Sequence, residues 1–312
     1  MNPTVTDVIA AFNRIPEKGA VSIEIDRAGV ILPKGGHFQG IQRLPGESQL
    51  LVITSSSLDT QGYFVACDMA EDGLSGRARS PVTMARSPFI HAGGCQAVGH
   101  FLVAGVEDPE FNRTSEVQFW DFRRFPVQLI SMTIPRSGAE HVSTAGAVAM
   151  SSLGEGSVLA VASFNAGTVD FYTSVGNPFS GSPFGLKFTW ALKGADMTNW
   201  IDQNWAHYQS VNLITQTTGE LFMVAFHRDG QARDWMDLYS VDLAGGQSAL
   251  KKMAKKHMTC TNGCNFNAGA GIFIPSTEGI AVSQSFEVFA VSYYSGDNVK
   301  GTTIHVNHFA AM

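Results

Sequence analysis

Four histidines recur at one place in a repeating pattern. His37, His91, His141 and His207 open the segments His37-Phe38-Gln39-Gly40-Ile41, His91-Ala92-Gly93-Gly94-Cys95, His141-Val142-Ser143-Thr144-Ala145 and His207-Tyr208-Gln209-Ser210-Val211. A further segment, Asn267-Ala268-Gly269-Ala270-Gly271, opens with asparagine instead. Neutral imidazoles are common ligands for iron, copper and zinc, so four of them converging on an axis can hold one transition-metal ion. The same spacing fits a structural role. Each histidine has an acid or amide downstream in its own unit: Asp59, Asp108, Asn165 and Asp229 respectively. A hydrogen bond between the two is worth about 1.5–3 kcal/mol when one partner is charged. In the metal reading those partners would orient the rings. Spacing alone leaves both readings open.

A second candidate lies in the long interval before His207. The run Asp196-Met197-Thr198-Asn199-Trp200-Ile201-Asp202-Gln203-Asn204-Trp205 sets two indoles beside hydrogen-bonding groups, a mixture suited to a sugar or another polar ligand. Trp200, Asp202 and Trp205 are its candidate contacts, and Gln39, Gln209 and Asn267, near the openings of their units, complete the ligand-binding set. The plainer alternative is that the tryptophans cover the edge of a sheet. No Gly-x-Ser-x-Gly elbow, Walker-type loop or His-Glu-x-x-His pair occurs. Glycoside hydrolysis needs two carboxylates facing across a cleft. Asp26, Asp59, Asp108, Asp202, Asp229 and Asp297 are available, but histidines open the units where five-bladed glycosidases place acids.

The elements that must position these groups are short strands. After each opening comes a second strand (Leu50 to Thr54, Phe101 to Gly105, Val158 to Ala162, Leu221 to Ala225, Val288 to Ser292) and then a third (Tyr63 to Asp68, Val117 to Asp121, Val169 to Thr173, Met236 to Ser240, Thr302 to Asn307). Fourth strands read at Pro81 to Ala85, Val127 to Ile134 and Leu186 to Leu192, while Ser248 to His257 reads equally as a short helix. The fifth unit lacks a fourth strand, which Val21 to Ile25 or Gly29 to Leu32 can supply. Such a closure removes open sheet edges. Thr6 to Ile15 has the pattern of a short amphipathic helix with Thr6 as its cap.

These units resemble the WD-repeat β-propeller superfamily, which opens its inner strand with Gly-His and ends its third with Trp-Asp. Gly36-His37 and Trp120-Asp121 each match once, and Cys67-Asp68, Tyr172-Thr173, Tyr239-Ser240 and Val306-Asn307 stand at the other Trp-Asp positions. The resemblance implies an all-β chain, a single five-bladed β-propeller over residues 1–312, closed by an N-terminal strand with a short helix outside the ring. It also implies the structural reading of the histidines.

Composition agrees. The 312 residues are 15% charged and 44% hydrophobic with 32 glycines, which suits many turns and few solvated helices. The net charge of −6 argues against nucleic acid, and the one basic run, Lys251 to His257, reads as solvated surface. No apolar stretch is long enough to span a membrane and no secretory signal opens the chain, so a cytoplasmic protein is expected. Cys67 and Cys95 read as core residues, whereas Cys260 and Cys264 flank a turn and suit a local disulfide or half a metal site. The expectation is a propeller that binds a small-molecule or carbohydrate ligand, or a protein partner, at its loop-rich face. The alternatives are a metal-dependent enzyme (an iron or copper oxygenase, or a zinc hydrolase or lyase) and a carbohydrate-recognition module.

Overall fold

The structure is a computed structural model and describes residues 3–19, 21–44, 49–57, 60–263, 265–275, 282–292 and 302–311. Strand β1 (Thr4–Val5) leads into helix α1 (Val8–Arg14) and then β2 (Val21–Asp26). Asp7, not Thr6, caps the helix, accepting the Ala10 N–H at 2.9 Å. Val8, Ala11 and Phe12 share one face and are buried in one cluster with Phe226, Met236 and Met258. The Lys256 ammonium donates to the Phe12 and Asn13 carbonyls at 3.1 and 2.9 Å, at the helix end where the dipole favours a cation.

The expected strand triplets form as antiparallel sets. β3 (Phe38–Leu44), β4 (Leu50–Ser55) and β5 (Gln61–Met69) make the first, with β6 (Ser75–Ala78) and β7 (Val82–Arg86) both on β5. β8 (His91–Val98), β9 (Phe101–Glu107) and β10 (Thr114–Asp121) make the second, its outer position shared by β11 (Val127–Gln128) and β12 (Ile134–Ser137). β13 (Ala147–Leu153), β14 (Gly156–Ala162), β15 (Thr168–Ser174) and β16 (Gly185–Ala191) follow, then β17 (Ser210–Thr215), β18 (Leu221–Arg228), β19 (Asp234–Val241) and β20 (Leu250–Met258). The last elements are β21 (Ala270–Phe273), β22 (Val282–Ser283), which pairs with β1, β23 (Glu287–Val291) and β24 (Thr303–Phe309). β2 runs antiparallel to β24 from Val21↔His308 to Asp26↔Thr303, so the N-terminal strand partners the C-terminal one. The segment that read equally as a helix, Ser248 to His257, is mostly strand β20.

Only β17–β20 forms a sheet of its own, as an isolated blade would; the other four sets are joined in pairs. A single parallel bridge, Ala147↔Gly94, joins β8 to β13, and another, Ala270↔Gly40, joins β3 to β21. With β2 also parallel to β6, the path β4-β3-β21-β23-β24-β2-β6-β5 closes through the β4–β5 pair into a ring of eight strands. The physical reason is close approach at glycine. A Cβ on Gly40 would lie 2.9 Å from the Cys95 nitrogen, one on Gly93 2.2 Å from the Gly146 oxygen, and one on Gly271 1.9 Å from the Ile41 oxygen. Many glycines therefore serve contacts between strands, not only turns.

Buried amide side chains stitch the same strands together. The Gln42 carbonyl accepts the Ala97 N–H at 3.1 Å, joining β3 to β8. Gln96 accepts from Met150 and Leu213 at 3.0 and 2.8 Å and donates to the Leu213 carbonyl at 2.8 Å, joining β8 to β13 and β17. Asn212 accepts from Ile272 at 2.9 Å, joining β17 to β21. With the bridge from β21 back to β3, five strands make a cyclic series of contacts. Gln96 and Asn212 each supply both donor and acceptor and Gln42 an acceptor, which lets backbone groups facing the convergence be satisfied without water.

Candidate functional site

At the end of the sheets where β3 and β8 begin, four polar side chains form a chain. The Glu107 Oε1 lies 2.9 Å from His91 Nδ1, and Oε2 of the same carboxylate accepts the Ala145 N–H at 2.9 Å. His91 Nε2 is 2.8 Å from Gln39 Nε2, and that amide nitrogen also contacts His37 Nε2. Glu107 is 1% exposed and Gln39 fully buried, whereas His37 is half-buried, so the chain runs from the core towards solvent. An amide NH2 can donate one hydrogen to each imidazole, which requires both Nε2 atoms to be unprotonated. That leaves the His91 proton for Nδ1, on the side of the Glu107 carboxylate, where the two atoms are close but do not meet hydrogen-bond geometry. The flipped amide would instead leave a bare Nδ1 against a carboxylate. Burial, and secondarily the neighbouring His91, lowers the His37 pKa to about 4, so this ring is neutral near pH 7. The Gln39 carbonyl oxygen is buried with no hydrogen-bond partner among the described residues.

Sequence reasoning paired His91 with Asp108, and a regular ladder from the Gly99-His100 turn would do so. A bulge between Ala92 and Cys95 shifts the register so that His91 lies opposite Glu107. The Gly93-Gly94 pair was the visible signal. Asp108 instead accepts the Glu110 and Phe111 N–H groups of its own loop. His207 Nδ1 meets the backbone oxygen of Asn165 at 3.2 Å, and Asp229 is occupied by Arg233 and Trp235. Asp59 and Asp297 lie outside the described residues.

The four histidines do not surround one point. His37 and His91 have ring centroids 6.2 Å apart, and Phe164 stands 6.3 Å from His91 and 6.2 Å from His141, so an aromatic ring separates the second and third histidines. His141 lies well before β13, in a loop with φ 59, its Nε2 3.5 Å from Glu140, and both it and His207 are exposed. Among the described residues no group of three or more His, Cys, Asp or Glu is placed to hold a metal ion. The four-histidine iron, copper or zinc site thus finds no support among the described residues: the loops before β13 and β17 carry His141 and His207 away from the strand starts. Cys260 is disulfide-bonded, Cys264 lies outside the described residues, and burial pushes the free Cys67 and Cys95 thiols up to about 12.

Trp200, Asp202 and Trp205 form a different group. The Trp200 indole N–H donates to the Leu250 carbonyl at 2.9 Å and that of Trp205 to the Ala166 carbonyl at 2.8 Å. Both rings pack on Trp190 and Tyr239 in the core between β13–β16 and β17–β20. Asp202 reaches Lys252, whose Nζ is 3.0 Å from its Oδ1 and 2.8 Å from Asp237 Oδ2. Lys252, read from sequence as solvated surface, is 1% exposed, because β20 turns it towards the sheet interior. Tyr208 donates to Asp237, and His227 Nε2 lies 3.5 Å from the same oxygen. Burial alone would raise the Asp237 pKa; the His227, Lys252 and Tyr208 contacts outweigh it and hold the carboxyl below its usual range. Burial, and then neighbouring charge (Tyr239 and Asp237 for Tyr208, Asp237 for Tyr239), raises the pKa of both phenols well above that of a free one. Elsewhere Asn267 accepts the Arg228 N–H at 2.7 Å, and Gln209 is half-buried. The structure thus unites His37, Gln39 and His91, adds Glu107 and Phe164, and sets the tryptophan group apart.

No protein-family model and no curated protein matches this sequence. Solved structures do resemble it. A fructofuranosidase from Schwanniomyces occidentalis, complexed with fructose, aligns with a TM-score of 0.55 at 9% identity, over 93% of this chain and 58% of that one. A Bombyx mori GH32 β-fructofuranosidase aligns at 0.50 and 9% identity, over 97% of this chain and 66% of that one. This chain spans less than two thirds of either. Both are β-propeller-type proteins, and the fold of this mostly-β chain is of that type, without singling out the WD-repeat family. Among the described residues no helix is long and apolar enough to cross a membrane.

Proposed function

We propose that the chain is a single-domain, five-bladed β-propeller that recognises a carbohydrate at the end of the sheets where His37, Gln39 and His91 lie. The five antiparallel strand sets and the cyclic contacts of β3, β8, β13, β17 and β21 support the blade count, with β2 supplying the fifth set's last strand. The observation that carries the binding reading is the Glu107–His91–Gln39–His37 chain. Buried polar groups are nearly always satisfied, and the orphan carbonyl of Gln39 is what a ligand hydroxyl would satisfy. His37 fixes the Gln39 amide through its Nε2, and the Phe164 and His141 rings, stacked at 26°, give an apolar surface for a sugar face. The likeness to fructofuranosidases agrees with a sugar as ligand. Recognition is favoured over hydrolysis because Glu107 is committed to His91 and the Ala145 N–H, and Asp108 to its own loop.

Calorimetric or NMR titration with fructose, sucrose and arabinose tests this. Saturable binding of at least one sugar is expected. Gln39→Leu and His37→Phe should each weaken it about tenfold, the loss of one or two hydrogen bonds, while circular dichroism stays unchanged. Unaltered affinity in both folded variants, or no saturable sugar binding, would sink the reading.

A further inference from the structure

A second concavity lies at the opposite end of the sheets from His37. It is a cavity of about 400 Å³ between the sets β3–β5 and β21–β24, open beside the turn that follows β5. That volume is in the range of small-ligand sites, roughly 300–1,000 Å³. Its lining is mixed: Ile23, Leu51, Met69 and Phe289 give it an apolar part, Arg43, Gln49 and His308 a polar one, and Leu74 stands half exposed at its edge.

The charges around it are unevenly matched. Arg43 is held in place as part of the wall: it donates to Gln49 Oε1 at 2.8 Å, lies 3.8 Å from Glu287, and its guanidinium rests 4.8 Å from the Phe273 ring centre. His308 is stacked on Phe289 at 4.5 Å with its Nε2 2.9 Å from Glu287. Both basic groups in the lining are thus answered by Glu287. Glu71 and Asp72 are exposed at the rim, and neither has an ion-pair partner among the described residues. Two carboxylates without ion-pair partners at the mouth of a partly apolar cavity, whose basic side chains are already answered, favour positive charge on a body with an apolar part. We propose that this cavity binds a small organic cation, an amine carrying an aromatic or aliphatic group. The site is independent of the sugar site proposed above and stands at the other end of the strands.

Benzylamine, with benzyl alcohol and benzoate as neutral and anionic counterparts of the same shape, provides the test. Titration followed by amide NMR should give saturable benzylamine binding with shifts centred on Met69 to Leu74 and Val21 to Ile23. Benzyl alcohol should bind about fivefold more weakly, the value of one partly exposed charge contact, and benzoate more weakly still. Glu71→Gln with Asp72→Asn should remove that fivefold preference and leave benzyl alcohol unchanged. Leu74→Trp, at an exposed position, should weaken both ligands by narrowing the opening. His37→Phe should leave benzylamine binding intact, which separates this site from the sugar site. The proposal is overturned if benzyl alcohol or benzoate binds as tightly as benzylamine, if the shifts fall elsewhere, or if no ligand saturates.

Discussion

Removing the buried lysine tests the energetics of the core most directly. Lys252→Met keeps most of the side-chain volume and deletes an ammonium that is 1% exposed and sits 2.8 Å from Asp237. Asp237 is fully buried, so the variant strands a carboxylate in the interior with only Tyr208 and His227 beside it. Breaking a buried pair in this way costs about 3–5 kcal/mol, since the orphaned charge keeps its desolvation penalty. The partner Asp202, whose side chain is 35% exposed, adds little because water screens it. Unfolding entropy of about 2.1 cal/mol/K per residue gives about 0.65 kcal/mol/K for a chain of this length, so Tm should fall by about 5–8 °C. Asp237→Asn in the same background should recover part of that loss. The pH dependence has a definite sign. Asp237, with its folded pKa lowered, stabilises the protein above the unfolded value near 3.9, and that contribution is lost as pH falls through the folded pKa. In Lys252→Met the stranded carboxylate can take up a proton, so the gap from wild type should narrow towards pH 4. A Tm change under about 1 °C, or a double variant as unstable as the sum of its singles, would refute the reasoning.

Three further outcomes follow from the packing. Gly271→Ala should lower Tm by more than about 5 °C, because its Cβ would lie 1.9 Å from a backbone oxygen, while Gly185→Ala, with nothing within 4 Å, should stay within about 1 °C; thermal melts decide. His37 should titrate near 4 in an NMR experiment, and stability should drop as pH falls from 6.5 towards 4, since the unfolded chain accepts a proton that the native ring resists; a midpoint above 6 counts against the buried chain. Phe12→Ala should cost about 3–5 kcal/mol in urea unfolding, as a fully buried ring is lost from the seat of α1, whereas Asp7→Ala should cost about 1 kcal/mol through the lost cap.

The strand triplets were legible because alternation and turn residues are local properties, and the helix because its apolar spacing is local too. The pairing of β2 with β24 was legible for a different reason: the last unit lacked a strand and an unused one stood near the start. What faces the converging strands was not legible. Gln42, Gln96 and Asn212 sit in ordinary β-rich runs, and only the meeting of five strands turns them inward to bond each other's backbones.

Alternation and turn residues specified most of the strand segments, and placed His37 just before one strand and His91 at the start of another. Tertiary structure decided the partners. One bulge at Gly93-Gly94 moved His91 from Asp108 to Glu107, since each residue of slip turns a strand's side chains to the opposite face. The loop before β13 set His141 behind Phe164, and β20 turned Lys252 from an apparent surface lysine into a buried counter-charge. Residue type and spacing are properties of the chain. Which polar groups are removed from water together depends on how distant strands approach, and that approach determines where the chemistry can occur.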